Sequence, residues 1–397
     1  MRGNNRTTWI IALIALVNML GYGIIIPILY SYSKKFGLSD FENGLLFSLF
    51  SICSFISTPI IGRLSDKYGR RPLLLISIIG TAISFVIMAF APSAIFLFIA
   101  RALDGLTAGN IPVAFAVISD STKPEERAKA FGLISAAFNF GFVFGPAISA
   151  ITIGIGSEVP FLIAAGITII AVIITAKYLP ETNAHMGEVH EGKLFDFKLL
   201  WKTLFDGNLG STFLITLIFY FAFACALIYG FQPFTINVLG INESQNAMLF
   251  TLFGAVGLIS QTFLVDRIVK RFGNKKAFSF GILFTGTAFL LMFFSYSLPV
   301  FVIAAIMLAL VNSIVQTLIP TILSEEVDAK SQGTMMGLNT SYQSIGMIAG
   351  PIVGGFVASA IAIRWNFLLG AILVGLCFFI SFRALKGISQ KNKDSAF

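Results

Sequence analysis

Gly62-Arg63-Leu64-Ser65-Asp66-Lys67-Tyr68-Gly69-Arg70-Arg71-Pro72 is a charged run set between two long apolar segments, 42–61 and 72–91. A second run, Leu264-Val265-Asp266-Arg267-Ile268-Val269-Lys270-Arg271-Phe272-Gly273-Asn274-Lys275-Lys276, occupies a similar place about 200 residues later. Basic loops between apolar runs are the pattern of a chain that crosses a membrane several times, because Lys and Arg collect on one side of the bilayer. The composition agrees. Only 12% of the 397 residues are charged, about half the share that keeps a soluble surface wet. The apolar runs reach 18 residues or more, enough to cross a hydrocarbon core of about 30 Å as helices. They do not alternate, which excludes an outer-membrane barrel.

Twelve spans are expected: 9–32, 42–61, 72–91, 94–119, 128–151, 159–178, 210–237, 244–265, 277–297, 299–323, 332–360 and 363–384. The first is too long for a signal-peptide core, and no small-residue cleavage site follows it. With the N-terminus inside, the inner segments hold 23 of the 27 basic residues; Lys34, Lys35 and Arg364 fall outside and Arg101 within a span. The net charge of +8 is therefore a topology signal rather than a nucleic-acid patch. Both termini are expected in the cytoplasm, with the chain in the cell (inner) membrane.

Segment 179–209 is the one long polar connection and divides the spans six and six. The expected organisation is an N-terminal half (1–180), a linker (181–209) and a C-terminal half (210–397). His185 and His190 read as solvated linker residues, too few for a metal site. Cys53, Cys225 and Cys377 lie inside apolar runs and read as small packing residues. The halves look duplicated. Gly141-x-x-x-Gly145-Pro146 recurs as Gly346-x-x-x-Gly350-Pro351, and Ser119-Asp120 recurs as Ser324-Glu325, both at an offset of 205. A six-plus-six repeat is the architecture of many transporters.

These features resemble the major facilitator superfamily across nearly the whole chain. Gly62-x-Leu64-x-Asp66-Lys67-Tyr68-Gly69-Arg70-Arg71 is similar to that family's signature between spans 2 and 3. The resemblance implies a cytoplasmic latch built from Gly62, Asp66, Gly69, Arg70, Arg71 and, at the inner end of span 4, Asp120. In physical terms Gly62 would let helices approach, Asp66 would pair with Arg70, and Gly69 would permit a tight turn. Arg101-Ala102-Leu103-Asp104-Gly105 resembles the family's span 4 motif. Arg101 and Asp104 are the deeply placed charges, three residues apart and so on one helix face. Intramembrane charges are costly and mark functional sites, so this pair is the candidate for proton coupling, against the alternative of an internal salt bridge. Gly141, Gly145 and Pro146 resemble the span 5 motif of antiporters; close helix packing is the alternative.

Span 1, with Asn18-Met19-Leu20-Gly21-Tyr22-Gly23 and Pro27, looks like the drug and tetracycline exporter pattern, and segment 101–132 is closest to the tetracycline-exporter subgroup. Asn18 stands where those exporters commonly carry Asp, and an amide cannot titrate. Polar residues inside the spans are the substrate-binding candidates: Asn18, Tyr22, Asn110, Asn139, Tyr229, Gln232, Gln261, Asn312, Gln316, Asn339 and Gln343. Some would instead make interhelical hydrogen bonds, worth about 0.6 kcal/mol each.

The reading is an all-α secondary transporter that exports small amphipathic molecules by alternating access, coupled to protons, acting as a monomer in the lipid bilayer. A facilitator or symporter of a sugar or organic acid, or a lipid flippase, remains the alternative. No cofactor, metal or nucleic acid is expected. Nothing suggests an enzyme, since there is no nucleotide loop, ligand cluster or nucleophile–base pair.

Overall fold

The computed structural model describes residues 2–184, 186–187, 195–327 and 331–394. His185 and His190 lie outside the described residues. Among those described, the secondary structure is helical throughout, with no strand.

Among the described residues ten helical stretches are long and apolar enough to cross a membrane. One of them, Glu243–Phe293, is 51 residues long and carries two spans, broken by a left-handed Gly273 at φ 74°. With the shorter apolar helix Trp365–Ser381 the total is twelve. Spans 6 (Val159–Tyr178) and 11 (Gln332–Ala360) begin and end where the sequence places them. Span 2 runs further inward, over Asp40–Tyr68, and span 3 begins immediately after it at Arg70. The charged loop is therefore almost wholly helical, with Gly69 as its single hinge residue.

Among the described residues four spans are interrupted, three of them near a proline and span 8 by a π-helical turn at Ser260–Leu264 with none. Span 1 is helical over Arg2–Ile25 and Leu29–Lys34, parting around Pro27. Span 4 is helical over Ala94–Leu106 and Asn110–Ser121. Pro112 has no N–H for the Ala108 carbonyl, and its ring crowds that oxygen, so the chain turns at 107–109. Span 7 runs over Gly207–Phe223, a π-helical turn at Ala224–Tyr229, and Phe231–Asn237. Here Pro233 has no N–H to donate to the Tyr229 carbonyl four residues back, and the wider turn ahead of it accommodates the ring. Pro59, Pro146, Pro320 and Pro351 sit inside helices that continue past them.

The chain forms two compact units. The first comprises Met1–Ser39, Leu49–Leu194 and Ile241–Thr251; the second comprises Asp40–Ser48, Phe195–Gly240 and Leu252–Phe397. Within the first, span 1 packs along span 5 (Pro124–Thr152), and span 3 along span 6. Within the second, span 7 packs along span 11, and span 9 (Val265–Phe293) along span 12 (Trp365–Asp394) and span 10 (Leu298–Glu326). The two units thus repeat one pairing scheme. The first unit's core is aliphatic, with Ile11, Ile14, Leu74, Ile78, Val117 and Ile134 meeting from spans 1, 3, 4 and 5. Ile76, Ile79, Ile83 and Val86 line an exposed face of span 3 at helical spacing. In a bilayer such a face meets acyl chains as apolar as itself.

Candidate functional site

The hinge between spans 2 and 3 organises a cluster at the ends they share. Gly69 adopts φ 101°, a conformation only glycine takes readily. This turn swings Arg70 back over the last turn of span 2. Its guanidinium donates to Asp66 Oδ1, to Ser65 Oγ at 2.7 Å and to Asp120 Oδ2 at 3.1 Å. Arg71 takes a different course and donates to the Ala176 carbonyl of span 6. Arg127 donates to the Ser119 carbonyl at 2.9 Å and to that of Thr122 at 3.3 Å, closing the C-terminal end of span 4.

Sequence reasoning missed two members of this cluster. The Glu181 carboxylate accepts the backbone N–H groups of Arg70 at 2.9 Å, Arg71 at 3.0 Å, Thr182 at 2.9 Å and Asn183 at 2.9 Å. It thereby caps the start of span 3, where unpaired N–H groups and the helix dipole favour an anion. A Cβ on Gly69 would lie 2.5 Å from a Glu181 carboxylate oxygen, so a larger residue would have to displace that carboxylate from the cap. Burial pushes the Glu181 carboxyl up, but the four amide donors outweigh it and hold the group below its usual range. Asn183 Nδ2 donates to the Asp66 carbonyl at 2.8 Å, so the linker's first residues tie spans 2 and 3 together. An acid one residue beyond Pro180, facing a basic loop, was the available signal.

Gly62 departs from expectation. Among the described residues of its unit a Cβ there would meet nothing within 4 Å, so the close approach expected of it is not made there. The glycines of span 5 behave differently. A Cβ on Gly141 would sit 2.8 Å from the Leu16 carbonyl oxygen, and one on Gly145 would sit 2.8 Å from Gly23 Cα. Pro146 packs on Gly23 in the same contact. The second unit repeats this. Gly346 and Gly350 press on span 7, where a Cβ on Gly350 would lie 2.8 Å from the Cys225 nitrogen.

The charge cluster has a partial copy too. Gly273 takes the place of Gly69, and Asn274 Nδ2 donates to Glu325 Oε1 at 2.6 Å, where Arg70 meets Asp120 in the first unit. The geometry is duplicated at an offset of 204–205, but the cation is replaced by an amide.

Arg101 and Asp104 lie on span 4 before its break. Arg101 is 2% exposed, and its Nη1 is 3.5 Å from Asp104 Oδ2. The guanidinium carbon stands 4.5 Å from the Phe50 ring centroid, a cation–π contact that partly replaces lost hydration. Its Nε has no partner among the described residues. Among the described residues these two are the only buried charged side chains.

The polar candidates separate into groups. Asn110 Nδ2 donates to Asn18 Oδ1 at 3.1 Å, joining spans 4 and 1. Tyr229 is buried and donates to the Asp40 carbonyl at 2.7 Å. Asn339 is buried and accepts from Thr216 at 3.1 Å; Gln261, exposed, accepts from Thr317 at 3.1 Å. Those bonds occupy the side chains in joining helices. Gln232 is fully buried, Asn139 is exposed, and Tyr22, Gln316 and Gln343 are half-buried. The Asn312 amide oxygen is buried with no partner among the described residues. Cys53, Cys225 and Cys377 are all free thiols.

Comparison with known proteins follows the same lines. The family model of the Major Facilitator Superfamily matches residues 11–268 and 212–396. The class G tetracycline resistance protein of Vibrio anguillarum is 32% identical over 386 residues, covering 94% of this chain and 96% of that protein. Multidrug resistance protein 1 of Bacillus subtilis is 29% identical over 360 residues, covering 90% and 91%. Among solved structures, a bacterial homolog of the human lysosomal transporter Spinster, in an inward-facing and unoccupied conformation, superposes with a TM-score of 0.81 at 18% identity, covering 96% of this chain and 98% of that one. The chain belongs to the Major Facilitator Superfamily and is a multi-pass membrane transporter rather than an enzyme.

Proposed function

We propose that this transporter exports small amphipathic, drug-like molecules by alternating access, in exchange for protons. The observation that carries the coupling is the buried Arg101–Asp104 pair. Two charges about 4 Å apart attract by about 4 kcal/mol at an effective dielectric constant near 20. Protonating Asp104 removes that attraction and leaves Arg101 its contact with the Phe50 ring. Even a third of such an energy moves a two-state equilibrium about tenfold. Proton entry at Asp104 therefore biases which conformation is populated. Relatives named for tetracycline and multidrug resistance support drug-like cargo, as does a chain with 42 Phe and 10 Met.

Around this centre, the organisation proposed is that of two six-span halves, 1–180 and 210–397, joined by the linker 181–209. Both termini lie in the cytoplasm and the chain works as a monomer in the inner membrane. The cluster of Asp66, Arg70 and Asp120 acts as the conformational latch on the inner side.

The test is transport of ethidium by purified protein in proteoliposomes with an imposed pH gradient. Asp104→Asn is expected to lose gradient-driven accumulation and to retain exchange of substrate across the membrane. Full gradient-driven transport by Asp104→Asn overturns the coupling. A second reading draws on Asn18, whose amide is bonded to Asn110 and does not titrate: a proton-independent facilitator of a nutrient. Such a protein still equilibrates its substrate after the gradient is collapsed.

A further inference from the structure

The short helix Phe197–Thr203 lies between the sixth and seventh spans and belongs to neither. Asp196 caps it by accepting the Leu199 N–H at 2.9 Å. One side of it is fixed to the second unit. Leu200 and Thr203 are buried, and the Tyr342 hydroxyl of span 11 lies 2.8 Å from Thr203 Oγ1 and donates to the Leu200 carbonyl. The other side is open. Phe197, Trp201 and Phe205, spaced four apart, are 65%, 68% and 73% exposed. Trp201 and Phe205 meet edge to face, with ring centroids 5.5 Å apart. Three large aromatics on one face of a non-spanning helix would be a liability in water.

We infer that this face is a membrane-interface anchor, seated at the headgroup–acyl boundary of the leaflet next to the seventh span's first turn. Three observations favour lipid over a protein partner. The apolar seventh span begins at Leu209, only eight residues beyond Trp201, which keeps the helix close to the bilayer surface. Within the first unit, Trp9, Tyr68 and Tyr178 are likewise exposed at the ends of the first, second and sixth spans, where aromatic residues gather at a membrane interface. Lys198 and Lys202 flank the aromatic face at the same four-residue spacing, where long stems reach up to headgroups. Asp196 and Asp206 cancel their charge. The anchor is therefore aromatic rather than electrostatic, and it does not select anionic lipid.

The experiment is fluorescence quenching of the full chain in vesicles. Trp9→Phe and Trp365→Phe leave Trp201 as the single tryptophan. Should that double variant fold poorly, the difference between the wild-type signal and that of Trp201→Phe isolates the same residue. The expected emission is blue-shifted from that of tryptophan in water. Quenching should be stronger for phosphatidylcholine brominated near the top of its acyl chains than near their ends, and equal when phosphatidylglycerol is added. Quenching by aqueous acrylamide with none by brominated lipid overturns the anchor. Quenching only with phosphatidylglycerol overturns its aromatic character. Loss of lipid quenching as the protein-to-lipid ratio rises would assign the face to a second copy and overturn the lipid assignment.

Discussion

Glu181→Gln removes the charge that caps span 3 and leaves most of the side chain's shape. Oε1 of Glu181 serves Arg70, Thr182 and Asn183, and Oε2 serves Arg71. In the amide one of these oxygens becomes an NH2 group. If it replaces Oε2, it faces the Arg71 N–H, donor to donor, and that amide loses its partner. Bonds from N–H groups to a buried charged acceptor reach about 1.5–3 kcal/mol, but Glu181 is exposed. Solvent screening brings the expected cost toward the ~1 kcal/mol typical of a helix cap. That corresponds to about fivefold more frequent local opening. Hydrogen exchange of the peptide spanning Gly69–Pro72 reads this directly and should quicken by about that factor, with spans 9 and 10 unchanged. The pH dependence follows from the direction of the carboxyl's shift. Its folded value lies below the 4.5 of a free side chain. The cap is therefore fully present above that value and is lost as pH falls through the lower folded one. Wild-type protection, corrected for intrinsic exchange, should be flat through the neutral range and drop only in stronger acid, whereas Glu181→Gln should show no such step. Equal exchange in the two proteins near neutral pH would refute the cap.

The glycines give a paired prediction. Gly145→Val must push span 1 away from backbone atoms 2.8 Å from its Cβ and should cost about 1–3 kcal/mol or more as overpacking. Gly62→Ala meets nothing and, in a helix interior, should be neutral or stabilising by up to about 1 kcal/mol; thermal unfolding of the purified variants checks both. Asn274→Arg should recreate in the second unit the cation that Arg70 supplies in the first. The expected gain against Glu325 is at most about 1 kcal/mol, because the site is partly exposed, and it should fade in about 1 M salt, where screening acts within a few ångströms.

Span number, span limits and the repeat were legible because they rest on hydropathy, Lys and Arg placement, and Gly-Pro spacing. Each of these is a local property of the chain. The breaks in spans 4 and 7 were legible in principle, since Pro112 and Pro233 have no N–H to donate to the carbonyl four residues earlier. They were overlooked because hydropathy continues smoothly across both. The cap by Glu181 was of another kind. The amides it caps on span 3 lie 110 and 111 residues away, so the acid beyond Pro180 gives a signal only once it is set against the distant basic loop. Gly62 failed for the opposite reason: its presence in a signature suggested a contact that the packing does not make.

The polar residues inside the spans show why a substrate pocket is harder to read than a fold. Asn18, Asn110, Tyr229 and Asn339 were legible as polar groups that lipid would not solvate, and each makes a hydrogen bond that joins helices without any ligand. Residue type alone does not separate an amide that joins helices from one that waits for cargo; only the partner does. Asn110 and Asn312 each keep a buried amide oxygen with no partner among the described residues, and leaving an acceptor so costs about 1–3 kcal/mol. The duplication sharpens the same distinction for charge. Gly69 and Gly273 keep the same left-handed turn, so the backbone device is common to both units, while Arg70 and Asn274 differ. A turn retained with its charge altered separates what the fold requires from what one unit alone has specialised. It places the ionic version, with Asp66, Asp120 and Glu181 gathered around it, in the unit that also holds Arg101 and Asp104.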